Sequence, residues 1–319
     1  MNSEIELDNI VEAIQRADKI VVFAHVSPDG DAIGSALGMY LALQQLKKEV
    51  DVVADECSRC FDFLPEIGSI HKEMDGVYDL AVSLDCASKA RLYDPKGAFD
   101  KAKVTVNIDH HASNTYYAKY NYIEGDSPAV CKTLVKVFKR LGVNFTQDMG
   151  TCLMAGIITD SGGFRYNTVD DETFEFAAQM LDLGVNISDI YYRTFDVKSK
   201  SQFLLTSIAT NRLSFYYDDC VAVTYVTLDD FKNTKASVGD HEGIVNIGRN
   251  IEGVEVSIFL REVDNDLYRV SFRSNHYVNV SDIASKFDGG GHSRAAGCDI
   301  YSDLDTSIKR LVWETKKYL

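Results

Sequence analysis

The sequence predicts a two-domain α/β protein, and three observations support this. The chain has 319 residues, more than one hydrophobic core usually serves. Through the first 190 residues, short apolar runs alternate with helical patterns, which is typical of a parallel sheet with helices on both faces. Later runs are richer in β-formers and predict a smaller α/β domain with a mixed sheet, separated from the first by a cleft. We place the domains at 1–190 and 213–319, joined by a helical linker over 191–212.

The first half of the large domain is predicted to contain four strands, with a helix between the first two. The run "KIVVFAH" (19–25) predicts a buried strand, and "IGSALGMYLALQQLKK" (33–48) predicts the helix that follows it. The strand pattern repeats over 49–55, 78–85 and 102–109.

Two further segments complete the large domain. Residues 126–142 predict a helix capped by Asp126 or Ser127 and ended by Gly142. The apolar run "TCLMAGIITDSGGF" (151–164) begins in a way that allows a helix and ends in a glycine-rich turn.

The small domain contains a predicted β-hairpin with arginines on one face. The strands "VEVSIFLREV" (254–263) and "LYRVSFRSN" (267–275) flank a short polar turn. Period-two alternation puts Arg261 opposite the apolar side of the first strand, while Arg269 and Arg273 share a face of the second. This is either a basic binding face or a solvated strand surface. The remaining elements are a short helix within 281–297, which runs into three glycines, and an amphipathic closing helix over 303–319.

Composition limits the class of partner and the compartment. The 33 basic and 48 acidic residues give a net charge of −15, which disfavours binding to long duplex nucleic acid unless positive charge is concentrated locally. Seven cysteines, an odd number, fit a reducing compartment better than a disulfide framework. "CSRC" (57–60) allows zinc or redox chemistry but has no second CxxC. Without a signal peptide or a spanning segment of about 20 apolar residues, we expect a cytoplasmic protein that does not bind membranes.

Acidic and imidazole side chains gather where predicted strands end. In open α/β sheets, ligands bind at the carboxyl edge of the strands. A single aspartate after a strand is usually a cap or turn residue, but "HVSPDGD" and "DHH" each concentrate several such groups. Three of the residues, His25, Asp85 and Asp109, end predicted strands. Four more, Asp29, Asp31, His110 and His111, follow within a few residues, and Asp160 closes another apolar run.

Gathered carboxylates predict bound cations. They repel one another and raise each other's pKa unless positive charge lies among them. Oxygen and imidazole donors without thiolates favour manganese, magnesium, iron or cobalt over structural zinc. The set is too large for one tetrahedral site, so we expect two metals sharing a carboxylate, an arrangement suited to hydrolysis of phosphoesters or phosphoanhydrides.

The same residues carry a family resemblance. "HVSPDGDAIGS", the Asp of "SLDCAS", "NIDHHASN" and the Asp of "GIITDSGGFRYNT" resemble, in order, the four motifs of the DHH phosphoesterases. "GGGHSRAAG" resembles the glycine-rich signature of their DHHA1 domain. Length and layout are most similar to the bacterial nanoRNase group of oligoribonucleases and 3′-phosphoadenosine 5′-phosphate (PAP) phosphatases.

The resemblance implies specific roles in the large domain. It implies two Mn²⁺ ions, with Mg²⁺ or Co²⁺ as alternatives, and Asp85 as the bridging ligand. His111 would face the scissile phosphate, and Asp109 would orient the histidines. The implied ligands are His25, Asp29 and Asp85 for one ion, and Asp31, Asp85, His110 and Asp160 for the other.

The resemblance also implies substrate recognition by the small domain. Glycine backbone there lets a phosphate or base approach closely. Ser113 and Asn114, in the large domain, could contact substrate or equally cap a turn. Solvent exposure is an equally good interpretation of Arg294. The implied substrate-binding residues are Ser113, Asn114, Arg261, Arg273, Gly290, Gly291, His292 and Arg294.

The predicted function is therefore manganese-dependent hydrolysis of short nucleotides, namely RNAs of about two to five nucleotides, pApA and PAP, by a metal-activated water. The alternatives are a phosphodiesterase for cyclic dinucleotides such as c-di-AMP, a RecJ-like single-strand exonuclease, a manganese pyrophosphatase or polyphosphatase, and a nucleotide sensor without turnover. The sequence leaves the oligomeric state open, a homodimer included.

Overall fold

The computed structural model describes residues 3–319 and divides into two compact units. The first unit ends at Val197, and the second spans Lys198–Leu319. Residues 1 and 2 of the predicted first domain lie outside the described residues. Within those residues, no helix is long and apolar enough to cross a membrane.

The first unit is built on a six-stranded sheet in which every neighbouring pair is parallel. The predicted strands form, and two further strands lie at the sheet edges. The strand order is β3-β2-β1-β4-β5-β6. The strands are β1 (Lys19–Phe23), β2 (Glu49–Val53), β3 (Ile70–His71), β4 (Leu80–Leu84), β5 (Val104–Asp109) and β6 (Tyr120–Ile123).

Apolar side chains cover both faces of this sheet, as predicted. Ile20 and Val22 of β1 belong to the large core that includes the long helices, while Val21 and Phe23 pack on the other face beside a one-turn helix. The helices are α1 (Ser3–Arg16), α2 (Gly30–Gln45), α3 (Ala98–Lys101), α4 (Val130–Leu141), α5 (Gln147–Asp160), α6 (Asp171–Asp182) and α7 (Ile187–Tyr191), the last continuing as a π-helix over Tyr192–Asp196.

Two helices differ from the sequence-based expectation. Helix α2 begins at Gly30 and not at residue 33, because Asp29 caps it. The run for which the sequence allowed a helix only at its start is helical up to Asp160, as part of α5. A buried helix can be as apolar as a buried strand, and periodicity alone does not separate the two.

The second unit contains a six-stranded mixed sheet, as predicted. Strands β8 and β9 are parallel, and the other pairs are antiparallel, including the predicted hairpin. The strand order is β11-β12-β10-β9-β8-β7. The strands are β7 (Ser214–Tyr216), β8 (Val221–Val226), β9 (Val256–Asp264), β10 (Leu267–Ser274), β11 (Gly290–His292) and β12 (Ala295–Tyr301). The helices are α8 (Lys200–Asn211), α9 (Leu228–Thr234), α10 (Val245–Arg249), α11 (Val280–Ser285) and α12 (Leu304–Thr315).

A buried carboxylate holds the segment after β10. The Glu255 side chain accepts hydrogen bonds from the backbone N–H groups of His276 (3.0 Å), Tyr277 (2.8 Å) and Val278 (2.8 Å). Burial raises the pKa of Glu255, but these bonds outweigh it and hold the pKa below its ordinary value of 4.5. A group with a lowered folded-state pKa stabilises the fold above its unfolded-state pKa, and this stabilisation is lost as the pH falls through the folded-state value.

Replacing this carboxylate should therefore weaken the second unit in a pH-dependent way. We expect Glu255→Gln to lower the free energy of unfolding by about 2 kcal/mol at pH 7, as for loss of charge-assisted hydrogen bonds, and by less at pH 4. Urea unfolding followed by fluorescence of Trp313 in α12, the chain's single tryptophan, reports this unit. Glu252→Gln, at an exposed position, is the control. An equal loss of stability at both pH values would contradict the charge-based account.

Candidate metal centre

The central strands of the first sheet deliver the predicted site residues to one edge. Strands β1, β4 and β5 are neighbours in the sheet, so their carboxyl ends lie side by side. His25 follows β1, Asp85 follows β4 directly, and Asp109 is the last residue of β5. This explains how residues far apart in sequence meet.

Seven of the predicted residues form three overlapping donor groups. Within each group, one candidate ligand atom from every residue lies within 4.8 Å of the others. Asp85 belongs to two groups and His110 also belongs to two. The groups are His25, Asp29 and Asp85; Asp31, His110 and Asp160; and Asp85, His110 and His111.

Backbone carbonyls orient two of the histidines. The Nδ1 atom of His25 lies 2.8 Å from the carbonyl oxygen of Val26, and that of His110 lies 2.9 Å from the carbonyl oxygen of Ser127. Each ring therefore donates from Nδ1 and turns Nε2 toward the carboxylates, a common second-sphere arrangement for metal-binding histidine. The Nε2 of His25 lies 3.6 Å from Asp85 Oδ2, and the Nε2 of His110 lies 3.6 Å from Asp85 Oδ1.

Asp85 lies between the two histidines with an unsatisfied oxygen. Its side chain is 3% exposed, and Oδ1 is buried without a hydrogen-bond donor. An orphaned buried carboxylate oxygen is costly, and the cost is relieved when a cation binds it. Its backbone also has φ +53°, a left-handed conformation that aspartate and asparagine tolerate better than most residues.

The two aspartates of "HVSPDGD" are held differently. Asp29 uses Oδ1 to cap α2 through the N–H groups of Asp31 and Ala32, both at 3.1 Å, and its Oδ2 lies 3.9 Å from His25 Nε2. Asp31 is buried and accepts from the N–H groups of Val130 (2.5 Å) and Cys131 (2.9 Å) at the start of α4.

This contact corrects the predicted cap of α4. The N-cap residue is Ala129, which makes no side-chain bond, so neither Asp126 nor Ser127 caps the helix. Asp31, a remote carboxylate, supplies the missing acceptor, and the Ser127 carbonyl serves His110 instead. The predicted stop at Gly142 is confirmed by its φ of +71°.

Crowding shifts the acid–base properties of the cluster. Burial and then the charge of Asp85 raise the pKa of Asp31 to about 7, and burial and then Asp31 raise that of Asp160 to about 7. Burial alone would lower the pKa of His110, but the charges of Asp31, Asp85 and Asp160 raise it to about 9. Excess negative charge is thus concentrated here, as a cation site requires.

These residues fit a pair of divalent cations. Two donor groups share Asp85, whose buried Oδ1 lacks a hydrogen-bond donor, and the Nε2 atoms of His25 and His110 face these carboxylates, where a cation would replace the ring proton. The donor set contains oxygen and nitrogen without thiolate, which favours Mn²⁺, Mg²⁺ or Co²⁺.

His111 is held apart from the other histidines by Asp109. The His111 Nδ1 lies 2.7 Å from Asp109 Oδ1, which leaves Nε2 free to meet a substrate. Asn114 donates to Asp109 Oδ2 (2.6 Å) and Asn107 Oδ1 (2.8 Å), and its own Oδ1 accepts from a backbone N–H. Asn114 is buried and supports Asp109 from behind, and its bond to the N–H of Tyr116 is the turn cap that the sequence left open as an alternative. The neighbouring Ser113 is exposed.

In the second unit, the predicted arginines share one sheet face. The register pairs Arg261 with Arg269, and the latter pairs with Asp299 on β12. Arg273 pairs with Ala295, which in turn pairs with His292. Residues that pair directly point to the same side, so these four basic side chains surround small residues such as Ala295. Arg261 is 9% exposed, and its Nε is buried without an acceptor.

The surroundings of Gly291 require a glycine, whereas those of Gly290 do not. At Gly291 (φ +147°), a Cβ would approach the Ala295 carbonyl oxygen to 2.5 Å, so packing requires glycine there. At Gly290 a Cβ would meet open space, which leaves this position free for close approach of a ligand. Arg294 donates to the carbonyl oxygens of Val278 (3.1 Å) and His276, and thus anchors its own loop.

Two groups near the site were missed by the sequence reasoning. Asn107 interrupts the apolar pattern of β5, and that irregularity was the available signal for the buried polar network around Asp109. Arg91 lies beside His25 in the structure, and its side chain is exposed. No motif or change in pattern marks this arginine in the sequence.

Comparison with known proteins agrees with this architecture. Residues 19–157 match the family described as "DHH family, N-terminal domain", and residues 218–317 match the "DHHA1 domain". The bifunctional oligoribonuclease and PAP phosphatase NrnA of Thermus thermophilus is 31% identical over 304 residues, covering 94% of this chain and 90% of that protein. The protein of the same name from Bacillus subtilis is 25% identical over 315 residues, covering 94% and 98%.

Solved structures match over the whole chain. An exopolyphosphatase-related protein from Bacteroides fragilis superposes with a TM-score of 0.91 at 26% identity, covering 99% of this chain and 96% of that one. RecJ of Thermus thermophilus, solved with Mn²⁺, shares the fold with a TM-score of 0.56 at 12% identity, covering all of this chain and 55% of that one. The chain therefore belongs to the DHH/DHHA1 family of phosphoesterases.

Proposed function

We propose that this phosphoesterase hydrolyses short nucleotides, namely RNAs of about two to five nucleotides, pApA and related dinucleotides, and PAP. The observation that carries the proposal is the buried Asp85, which two donor groups share and whose Oδ1 lacks a donor. Relatives named as oligoribonuclease and PAP phosphatase, similar over nearly the full chain, support the substrate class.

Two divalent cations would complete the site, with Mn²⁺ proposed first and Mg²⁺ or Co²⁺ as alternatives. When bound, the pair lowers the pKa of water and neutralises charge on the phosphoryl group. The proposed ligands are His25, Asp29 and Asp85 for one ion, and Asp31, Asp85, His110 and Asp160 for the other.

The chain's own residues contribute orientation and hydrogen bonding. Asp109 accepts from His111 Nδ1 and raises the pKa of the ring, so that the protonated ring can donate from Nε2 to a phosphoryl oxygen as negative charge develops there. We assign the positioning role to Asp109, because its carboxylate is buried and occupied by His111 and Asn114.

The basic face of the second unit is proposed to bind the part of the substrate that does not react. Arg261, Arg273 and His292 supply charge and donors, and Gly290 leaves room for a phosphate or base. Ser113, exposed beside the histidines of the first unit, is a further candidate contact. We do not include Asn114 and Arg294, since both are bonded within the protein.

Charge predicts a preference for short substrates. The net charge of −15 repels extended polyanions, while the metal centre and one basic face can serve a few phosphates. We expect kcat/KM for a dinucleotide to exceed that for a thirty-nucleotide RNA by at least about tenfold. Equal turnover of the two would contradict the proposal and favour a RecJ-like exonuclease.

A substrate panel tests the function directly. Chelator-treated protein is reloaded with Mn²⁺ and given dinucleotide RNA, pApA, PAP, c-di-AMP and polyphosphate at equal concentration. We expect mononucleotide release from the linear dinucleotides and adenosine 5′-phosphate from PAP, and neither product in the presence of chelator. Tight binding of dinucleotide without cleavage would identify a sensor. Cleavage confined to c-di-AMP or to polyphosphate would identify the corresponding rival enzyme.

A further inference from the structure

Arg91 is held beside the metal centre by its backbone. It ends a one-turn 3-10 helix over Lys89–Arg91, in the loop that follows Asp85. The Arg91 carbonyl accepts a hydrogen bond from the N–H of Val26 at 2.8 Å, and an isolated β-bridge joins His25 to Leu92. The loop after β4 is therefore fastened to the loop that carries a candidate metal ligand, whatever the Arg91 side chain does.

The Arg91 side chain points to His25 without bonding to it. Its Nη2 lies 3.5 Å from the Nδ1 of His25. That ring nitrogen already donates its proton to the Val26 carbonyl at 2.8 Å, and a guanidinium has no acceptor to offer. Two donors face each other here, so this contact does not satisfy the arginine.

The guanidinium lacks a carboxylate partner in a strongly acidic neighbourhood. Across residues 3–319 no ion pair joins Arg91 to an Asp or Glu, although the His25 ring that it contacts lies 3.6 Å from the Asp85 carboxylate. Its neighbour Lys89, by contrast, pairs with Asp100 at 2.6 Å. Arg91 thus keeps its five N–H donors available at the edge of the metal centre.

This arrangement suits a phosphoryl group. A guanidinium presents parallel N–H donors that match two oxygens of a phosphate, and such charge-assisted pairs are stronger than neutral hydrogen bonds. A substrate phosphate held beside His25 and Asp85 would lie within reach of a side chain that contacts the His25 ring. We propose that Arg91 is a catalytic residue that binds non-bridging oxygens of the phosphoryl group undergoing hydrolysis, an inference that rests on the proposed function.

Two substitutions and a matched control test the proposal. We expect Arg91→Ala to lower kcat/KM for the preferred dinucleotide by about 10- to 100-fold, as for loss of a charge-assisted bond. Arg91→Lys should recover only part of this loss, because an ammonium cannot make the bidentate contact. Lys89→Ala removes the same charge two residues away and should leave kcat/KM unchanged. Added guanidinium ion should partly restore the alanine variant and leave wild type unaffected.

A binding measurement separates this inference from the proposed function. Inorganic phosphate is titrated calorimetrically into Mn²⁺-loaded wild type and Arg91→Ala, and we expect binding about tenfold weaker in the variant. Unchanged phosphate affinity and unchanged kcat/KM would overturn the role of Arg91. Loss of Mn²⁺-induced thermal stabilisation in Arg91→Ala would also overturn it, by showing a structural role at His25. If wild type cleaves no phosphoester yet phosphate binding still depends on Arg91, the proposed function fails and the anion contact stands.

Discussion

Replacing Asp85 by asparagine should abolish hydrolysis of every substrate at once. Asp85 shares one donor group with His25 and Asp29, and its Oδ1 lies 3.6 Å from the Nε2 of His110, which also belongs to the group of Asp31 and Asp160. Its loss would therefore remove a ligand from both proposed cation positions. We expect a fall in kcat/KM on the order of 10³-fold or more, since even loss of a second-sphere partner typically costs about 10- to 100-fold. Asparagine tolerates the left-handed backbone at this position, so the fold should survive.

We expect Asp85→Asn to lose activity without losing thermal stability in the metal-free state. Burial, together with the charge of Asp29, raises the pKa of Asp85, which means that the ionised form is disfavoured in the metal-free protein. We therefore expect metal-free Asp85→Asn to melt no lower than metal-free wild type, and to lose the rise in Tm that Mn²⁺ gives wild type. Asp79→Asn, beside Lys103 and away from the site, is the matched control and should keep full activity. Retention of half the rate on any substrate by Asp85→Asn would refute the bridging role.

His111→Gln should reduce turnover while leaving the cations in place. In the structure the His111 Nδ1 is engaged by Asp109 at 2.7 Å, closer than its 3.6 Å approach to Asp85 Oδ1, so this ring is better placed to meet substrate than to bind metal. Loss of a positioned acid–base or hydrogen-bonding group predicts a kcat lower by about 10²- to 10³-fold.

Thermal shift with Mn²⁺ decides between the two roles of His111. We expect the Mn²⁺-induced rise in Tm to equal that of wild type in His111→Gln, and kcat to fall far more than KM rises. Asp109→Asn, which keeps the shape but weakens the hold on the ring, should give a smaller loss of about 10- to 100-fold. If His111→Gln loses the Mn²⁺ effect as Asp85→Asn is expected to, His111 is a ligand and the assignment fails.

The sequence predicted those features that local chemistry determines. Continuous apolar runs predicted the central strands, and aspartates and histidines after them predicted where the donor groups meet, because parallel strands share an edge. Alternation along the hairpin placed Arg269 and Arg273 on one face of the second strand, and the register pairs Arg261 of the first strand with Arg269 on that face.

Features that depend on distant contacts could not be predicted in this way. The cap of α4 comes from Asp31, a residue about 100 positions earlier in the chain, so local cap signals at Asp126 and Ser127 were misleading. For Asn114 the sequence left substrate contact and a turn cap equally open, because its burial depends on the packing of Asn107 and Asp109. In the structure its Oδ1 accepts from the N–H of Tyr116, as a turn cap does. Hydrogen bonds of this kind depend on tertiary structure and cannot be predicted from the spacing of residues along the chain.

The order of the ligands along the chain has a consequence for folding. His25 follows β1, whereas Asp160 ends α5, about 135 positions later in the chain, and is therefore synthesised after it. Docking of α5 brings the last carboxylate against those already present, so in the absence of metal this late step works against electrostatic repulsion. Divalent cations would then act as folding ligands, and their supply in the cell would influence how much nascent chain reaches a mature first unit.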